Sequence, residues 1–340
     1  MNRRRLGRTG LTVSLLGLGG IPIQRVSPAE AERVVAAALE AGVTFFDTAR
    51  NYTDSEAKFG AALRPVREGV VLATKTLART AEAARADLAE SLRQLGTDYI
   101  DLYQLHNVKP AWYEQLIGPG GALEALLRAK QEGAVRFLGI TSHRPDLLLK
   151  ALELDIFDTI QVPYSYLDHG GVTDLLAAAE RADVGVIAMK PLAGGALAEV
   201  AGPALRFLAN QPAVSVIIPG ADSPEQVWDN LSAVDPLRSL GPEEEEALAR
   251  TAESLGKEFC HRCDYCQPCP AGIDIPMVFI LEGYRSRYQM PEWAAQRYAQ
   301  LDHKPGECRE CGLCEQRCPY DLPIRERLRT IRKNFENGGT

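Results

Sequence analysis

The sequence predicts a (β/α)8 TIM barrel, residues 1–255, followed by a small, mainly helical, cysteine-rich domain, residues 256–340. Three observations predict it. Short β-rich runs alternate with helical stretches through the first 255 residues. All eight cysteines lie at Cys260 or beyond, which separates the two parts by composition. Polar residues of complementary chemistry stand at the ends of successive β-rich runs, where a parallel barrel gathers its active site.

The runs are Val13–Gly19, Thr44–Thr48, Val70–Lys75, Tyr99–His106, Val135–Thr141, Thr159–Tyr164, Gly185–Lys190 and Val214–Pro219. The stretches between them are rich in Ala and Leu. In Ala81–Leu95, for instance, Ala84, Leu88, Leu92 and Leu95 share one helical face. Ser27-Pro28-Ala29-Glu30 supplies an N-cap, a first-turn proline and an acidic third residue for the first helix. Eight strand–helix repeats imply a parallel sheet, and about 250 residues is the usual length of a closed barrel. An open dinucleotide-binding sheet would carry G-x-G-x-x-G after its first strand. Gly17 and Gly19 begin such a motif, but Pro22 takes the place of the third glycine.

Cys260, Cys263, Cys266 and Cys269 are spaced C-x2-C-x2-C-x2-C, with Pro270 next. Cys308, Cys311, Cys314 and Cys318 are spaced C-x2-C-x2-C-x3-C, with Pro319 next. The second run has the spacing of bacterial cluster-binding ferredoxins, in which the fourth cysteine serves the other cluster. Two 4Fe-4S clusters are therefore expected. Cys260, Cys263, Cys266 and Cys318 would hold one, and Cys308, Cys311, Cys314 and Cys269 the other. The shorter last spacing of the first run departs from the pattern. A disulfide framework fits poorly with a long cysteine-free N-terminal part. Zinc would need two ligand pairs, usually with a longer spacer between them.

A net charge of −7 and the absence of a basic block in the barrel argue against nucleic acid as a partner. No apolar run approaches the roughly 20 residues of a membrane span. Arg3, Arg4 and Arg5 precede a moderately apolar stretch, as in twin-arginine export signals. Gly7, Gly10, Gly17, Gly19 and Gly20 interrupt it, so a folded strand or hairpin and a cytoplasmic location are expected.

Asp47, Lys75 and His106 end the second, third and fourth runs, and Tyr52 follows Asp47 in its loop. Singly, each has an ordinary structural role open to it; together they make a catalytic set. A free phenol with pKa about 10 is a poor acid–base group at neutral pH. An ammonium about 4 Å away contributes on the order of 4 kcal/mol at an effective dielectric near 20, enough to bring it toward about 7. Asp47 would keep Lys75 charged and aimed, and His106 would polarise a substrate carbonyl.

The segments FFDTARNYTDSE, VLATK, DYIDLYQLH, VRFLGITS, TIQVPYS and VSVIIPGADSPEQVWDN resemble the aldo-keto reductases, in order, across residues 1 to about 235. The resemblance includes the four residues of that family's catalytic tetrad. The cysteine domain resembles that of a branch with a C-terminal ferredoxin-like module. CPAGIDIP is similar to helical ferredoxin modules of some flavoenzymes, and the 38 residues between the two cysteine runs read as helical. What this implies is NAD(P)H-linked reduction of a carbonyl, or oxidation of an alcohol, in a small-molecule substrate.

The resemblance places the nicotinamide carboxamide near Thr141, Ser142 and Gln161. Several positions depart from the family pattern. Thr141-Ser142 replaces serine–asparagine, Met189 replaces a stacking aromatic residue, and Lys190 replaces a hydroxyl residue. Gly220 and Ala221 replace the lysine and serine of NADPH-preferring members, and Gln226 replaces their arginine. Asn230 is retained. Asp222 adds a negative charge where a 2′-phosphate would lie, so NADH is favoured. The same departures, together with the clusters, raise FMN as an alternative occupant of the loops Lys190–Gly195 and Gly220–Ser223.

The leading expectation is thus an oxidoreductase whose clusters relay electrons to or from a partner. The basic run Arg325, Arg327, Arg329, Arg332 and Lys333 reads first as a solvated face, with a dock for an acidic electron-carrier protein as the alternative. The alternatives are a carbonyl reductase with purely structural clusters, a flavin-containing electron-transfer enzyme, and a non-enzymatic redox sensor.

Overall fold

The computed structural model describes residues 1–169, 171–255, 259–261, 265–318 and 320–336. An antiparallel hairpin comes first, β1 (Arg3–Arg5) with β2 (Thr12–Ser14), in register Arg3 to Ser14 and Arg5 to Thr12. The first expected run is therefore divided. Thr12–Ser14 belongs to the hairpin, and β3 (Leu18–Gly19) enters the barrel sheet, with Leu16 adding a single bridge. Leu6 and Val13 of the hairpin pack with Phe45, Ala73, Leu102, Ile187 and Val216 in the interior cluster. The Arg8 N–H donates to the Asp183 carbonyl just before the seventh barrel strand. These contacts put the hairpin under the N-terminal end of the barrel, as a floor.

The other barrel strands are β4 (Phe45–Asp47), β5 (Val71–Thr76), β6 (Ile100–Leu105), β7 (Val135–Thr141), β8 (Thr159–Pro163), β9 (Gly185–Met189) and β10 (Val216–Ile218). They pair in parallel and in sequence order, β3 through β10, as an 8-stranded sheet. Parallel bridges Leu16–Ile217 and Gly19–Gly220 join the first strand to the last and close the sheet. The approach is tight. A Cβ on Gly220 would lie 2.4 Å from Pro22 Cγ, so the closing seam admits only glycine there.

Between strands lie α1 (Pro28–Glu40), α2 (Ser55–Leu63), α3 (Ala81–Leu95), α4 (Pro110–Ile117), α5 (Ala122–Gln131), α6 (Pro145–Leu152), α7 (Thr173–Arg181), α8 (Ala201–Ala209) and α9 (Pro224–Val234). Local signals start several of them. Ser27 and Glu30 form a capping box on α1, Thr80 caps α3 and Ser223 caps α9. Strand side chains alternate between two cores. Phe45, Ala73 and Leu102 face the barrel interior, while Phe46, Leu72 and Tyr103 face the helices.

Two compact units result: residues 1–193 with 198–248, and residues 194–197 with 249–340. Helix α10 (Pro242–Leu255) runs across that division. The second unit is helical, with α11 (Ile275–Ser286), α12 (Pro291–Ala299), α13 (Leu313–Gln316) and α14 (Ile324–Glu336). Asp274 caps α11 by accepting from the Met277 N–H at 3.1 Å. The core of this unit contains Ile273, Val278, Phe279, Leu281, Leu328 and Ile331.

The structure overturns the iron–sulfur part of the expected fold. Among the described residues, no group of three or more His, Cys, Asp or Glu side chains is placed to hold a metal ion. Cys263, one expected ligand, lies outside the described residues. Among the described residues, Cys269, Cys308, Cys311, Cys314 and Cys318 are free thiols. Cys266 and Cys314 are buried in the helical core, where a thiol packs as a small hydrophobe. Cys266, Cys269, Cys308, Cys311 and Cys314 line one cleft with Ile275, but Cys311 is exposed. Among its described residues, the C-terminal helical unit therefore shows no assembled 4Fe-4S site.

Candidate active site

The strand register brings four inward-facing polar side chains to one level near the C-terminal end of the barrel. Asp47 ends β4, Lys75 and Gln104 are paired neighbours on β5 and β6, and Gln161 lies on β8. Lys75 Nζ lies 2.6 Å from Asp47 Oδ1 and also donates to the Thr48 carbonyl at 2.7 Å. The Gln104 and Gln161 amides donate to the two Asp47 oxygens at 3.3 and 3.4 Å. Gln104 was not among the residues singled out in the sequence. Its signal was present as an amide two residues beyond the inward-facing Leu102 in DLYQLH.

Burial pushes the Asp47 pKa up, against the opposing pull of Lys75 and the amide donors. Burial pushes Lys75 down, against the opposing pull of Asp47. Each charge thus depends on the other. Above them, Lys75 Nζ stands 5.1 Å from the centre of the Tyr52 ring. Tyr52 and His106 meet edge to face, with centroids 5.7 Å apart and planes at 78°. The three run-end residues and the loop residue Tyr52 therefore form one contiguous group.

His106 is held well below its ordinary pKa of 6.5, first by burial and then by the positive charges of Lys75 and Lys190. Its imidazole is neutral at neutral pH. Its Nδ1 is shielded and has no hydrogen-bond partner. The segment after His106 is fastened by the two hydroxyls expected to meet a carboxamide. The Asn107 N–H donates to Thr141 Oγ1 at 2.6 Å, and Ser142 Oγ donates to the Val108 carbonyl at 2.7 Å. Ser142 Oγ also accepts from the Arg144 N–H at 3.1 Å. Gln161 is different, because its buried Oε1 has no partner.

The remaining expected cofactor positions lie at strand and helix ends. Met189 ends β9, half-buried, and Lys190 follows with φ +54°. Gly220 sits at the closing seam, beyond β10. Asp222 is ion-paired with Arg25 of the first loop. Gln226 Oε1 accepts from the Asp222 N–H at 3.1 Å, and the Gln226 N–H donates to Ser223, the α9 cap. Asn230 is buried on α9.

Residues 15–202 match the family model described as aldo/keto reductase. The chain belongs to the aldo/keto reductase family. It is accordingly an oxidoreductase. L-galactose dehydrogenase of Arabidopsis thaliana is 32% identical over 307 residues, 74% of this chain and 95% of the relative. D-threo-aldose 1-dehydrogenase of a Pseudomonas species is 28% identical and covers 65% of this chain and 76% of that one. The holo form of aldo-keto reductase AKR11C1 from Bacillus halodurans superposes with a TM-score of 0.63 at 28% identity, covering 74% of this chain and 96% of its own.

Residues 259–323 match a model described as a 4Fe-4S dicluster domain. That likeness lies on the stretch carrying the cysteine runs, so the pattern read in the sequence is real as a pattern. The ligand cages expected from it are absent among the described residues, and the electron relay built on them is withdrawn. FMN is withdrawn with it. The family match runs through Lys190–Gly195, and the departures at Asp222 and Gln226 have local partners that account for them. The proposed docking charges are largely paired within the unit. Arg325 binds Glu315, Arg329 binds Glu310 and Arg332 binds Glu336. Among the described residues, no helix is long and apolar enough to cross a membrane.

Proposed function

We propose that this aldo/keto reductase interconverts a small-molecule carbonyl and its alcohol with NAD(P)H, using Tyr52 as the proton donor and acceptor. The observation that carries the reading is the placement of the Lys75 ammonium between Asp47 and the Tyr52 ring. An ammonium there stabilises the phenolate formed when Tyr52 gives up its proton, and so makes the phenol a stronger acid. In the reduction, the Tyr52 proton goes to the substrate oxygen as the carbonyl carbon takes up hydride. Neutral His106 donates a hydrogen bond to the same oxygen and orients the carbonyl without charging the site. Bound nicotinamide supplies the hydride.

The residues present fit that cofactor. The unpartnered Gln161 Oε1 suits the NH2 of a nicotinamide carboxamide. Thr141 and Ser142 also support the His106 segment. Two relatives carry names of enzymes acting on aldoses, so the first substrate panel should pair simple aldehydes with aldoses, L-galactose included. The test is coenzyme oxidation or reduction, followed at 340 nm, by the full chain and by Tyr52→Phe. Turnover by the parent and its loss in Tyr52→Phe is the expected result. Equal turnover in both would remove Tyr52 from the reaction.

A further inference from the structure

Tyr52 lies in the loop between β4 and α2, and its usefulness depends on where that loop is held. The inner side of the loop is fixed by the strand edge. The Thr48 and Arg50 N–H groups donate to the Ala73 and Lys75 carbonyls, both at 2.9 Å, continuing the β4–β5 ladder. The outer side carries a second charged network. Thr74 sits between Ala73 and Lys75 on β5, so its side chain faces the helix layer while Lys75 faces the site. The Thr74 hydroxyl donates to Glu56 Oε1 at 2.7 Å. Glu56 lies on the first turn of α2, is 1% exposed, and is ion-paired through Oε2 with the Arg50 guanidinium. The Ser55 N–H donates to the Tyr52 carbonyl at 2.8 Å. Its hydroxyl, also buried, donates to the Gly20 carbonyl at 3.0 Å.

We infer that Glu56 is the positioning residue of the Tyr52 loop, clamping Arg50 on one side of Tyr52 to Thr74 behind Lys75. The inference rests on the reading of Tyr52 given above. A buried ion pair contributes little net stability over a well-packed apolar pair, and its best-attested use is to fix one arrangement. Here the arrangement fixed is the distance between the phenol and Lys75. Glu56 touches neither substrate nor cofactor. It acts through Arg50 and Thr74, from the far side of the strand that carries Lys75.

The test compares Glu56→Gln, Arg50→Lys, Arg50→Met and Tyr52→Phe with the parent chain. Glu56→Gln keeps an oxygen acceptor for Thr74 but loses the pairing with Arg50. Expected is a fall in kcat of about 100-fold, the size of a roughly 1 Å misplacement. The coenzyme KM should stay within about twofold. Arg50→Lys should recover much of the activity lost in Arg50→Met. Hydrogen exchange of amides 50–55 should quicken in Glu56→Gln. If kcat is unchanged, or falls only with the fraction of folded protein, the inference is overturned. Should Tyr52→Phe itself prove fully active, the catalytic reading fails. The exchange of amides 50–55 then decides alone, with unchanged exchange overturning the clamp.

Discussion

Lys75 Nζ stands 2.6 Å from Asp47 Oδ1, and the two side chains are only 1% and 4% exposed. Neither charge can be solvated by bulk water, so each is tolerable only while the other is present. Asp47→Ala should therefore leave an ammonium whose remaining partners include the Thr48 carbonyl. The expected loss of stability is about 3–5 kcal/mol, the usual cost of breaking a buried pair from one side. A double variant, Asp47→Leu with Lys75→Met, should regain most of that stability while remaining inactive. Urea unfolding of the three chains checks it. A single variant as stable as the parent would mean that Lys75 sheds its proton at little cost.

Tyr52→Phe preserves the ring that meets His106 edge to face at 5.7 Å and removes only the hydroxyl. Its kcat should fall by about 10²–10⁴, the range for loss of a general acid. Coenzyme affinity should be unchanged, since the proposed carboxamide site centres on Gln161. Stopped-flow turnover and a coenzyme titration on the same preparation separate the two quantities. A weakened affinity with intact kcat would place Tyr52 in the binding site.

His106 gives a pH dependence whose sign is fixed. Its folded pKa lies well below 6.5, because burial and two nearby lysine ammonium groups disfavour the imidazolium. Between that lowered value and about 6.5, the unfolded chain binds a proton that the folded chain refuses, so stability rises with pH through the window. The contribution is complete above about 6.5 and is lost as pH falls toward the folded value. His106→Asn should flatten this part of the stability–pH curve. An identical slope in parent and variant would assign the dependence to other groups.

Gly60 on α2 makes a purely structural prediction. A Cβ there would meet the Leu95 carbonyl oxygen at 2.5 Å, and the neighbouring backbone atoms are equally close. Gly60→Ala should cost about 1–3 kcal/mol by overpacking, despite the better helix propensity of alanine. The urea midpoint reads it directly.

The barrel was legible because strands buried on both faces leave apolar runs, and because several runs end in a turn before a capped helix. The first run misled at one point. Val13–Gly19 is continuous in sequence, yet Thr12–Ser14 pairs with Arg3–Arg5, while Leu18–Gly19 and a bridge at Leu16 join the barrel. Pairing partners of a strand are set by tertiary packing and not by its own pattern. Asp47, Tyr52, Lys75 and His106 were legible from their places in the strand–loop frame. Glu56 and Thr74 were not, since a carboxylate in a helix's first turn reads as dipole chemistry until the strand behind it is known. The cysteine runs show the opposite limit. Their spacing is matched by a dicluster family model over residues 259–323, but spacing along a chain does not specify side-chain convergence. Cys266 and Cys314 are buried with apolar neighbours, while Cys311 is exposed.

Coenzyme choice is expected to turn on the Asp222–Arg25 ion pair. A lone carboxylate beyond β10 would repel a 2′-phosphate and accept a ribose hydroxyl, which favours NADH. The ion pair with Arg25 changes the balance, because the carboxylate holds a guanidinium that suits phosphate. Asp222→Asn should release Arg25 from that carboxylate and remove the repulsion in one step. The expected outcome is NADPH affinity raised by about tenfold, close to 1.4 kcal/mol, with NADH changed much less. The gain should shrink at high salt, as an exposed charge contact does. Arg25→Met on top of Asp222→Asn should abolish it, which assigns the gain to the guanidinium. Fluorescence titration of both coenzymes against the three chains is the measurement. An unchanged NADPH-to-NADH ratio would mean that the 2′ position of the bound coenzyme lies away from this pair.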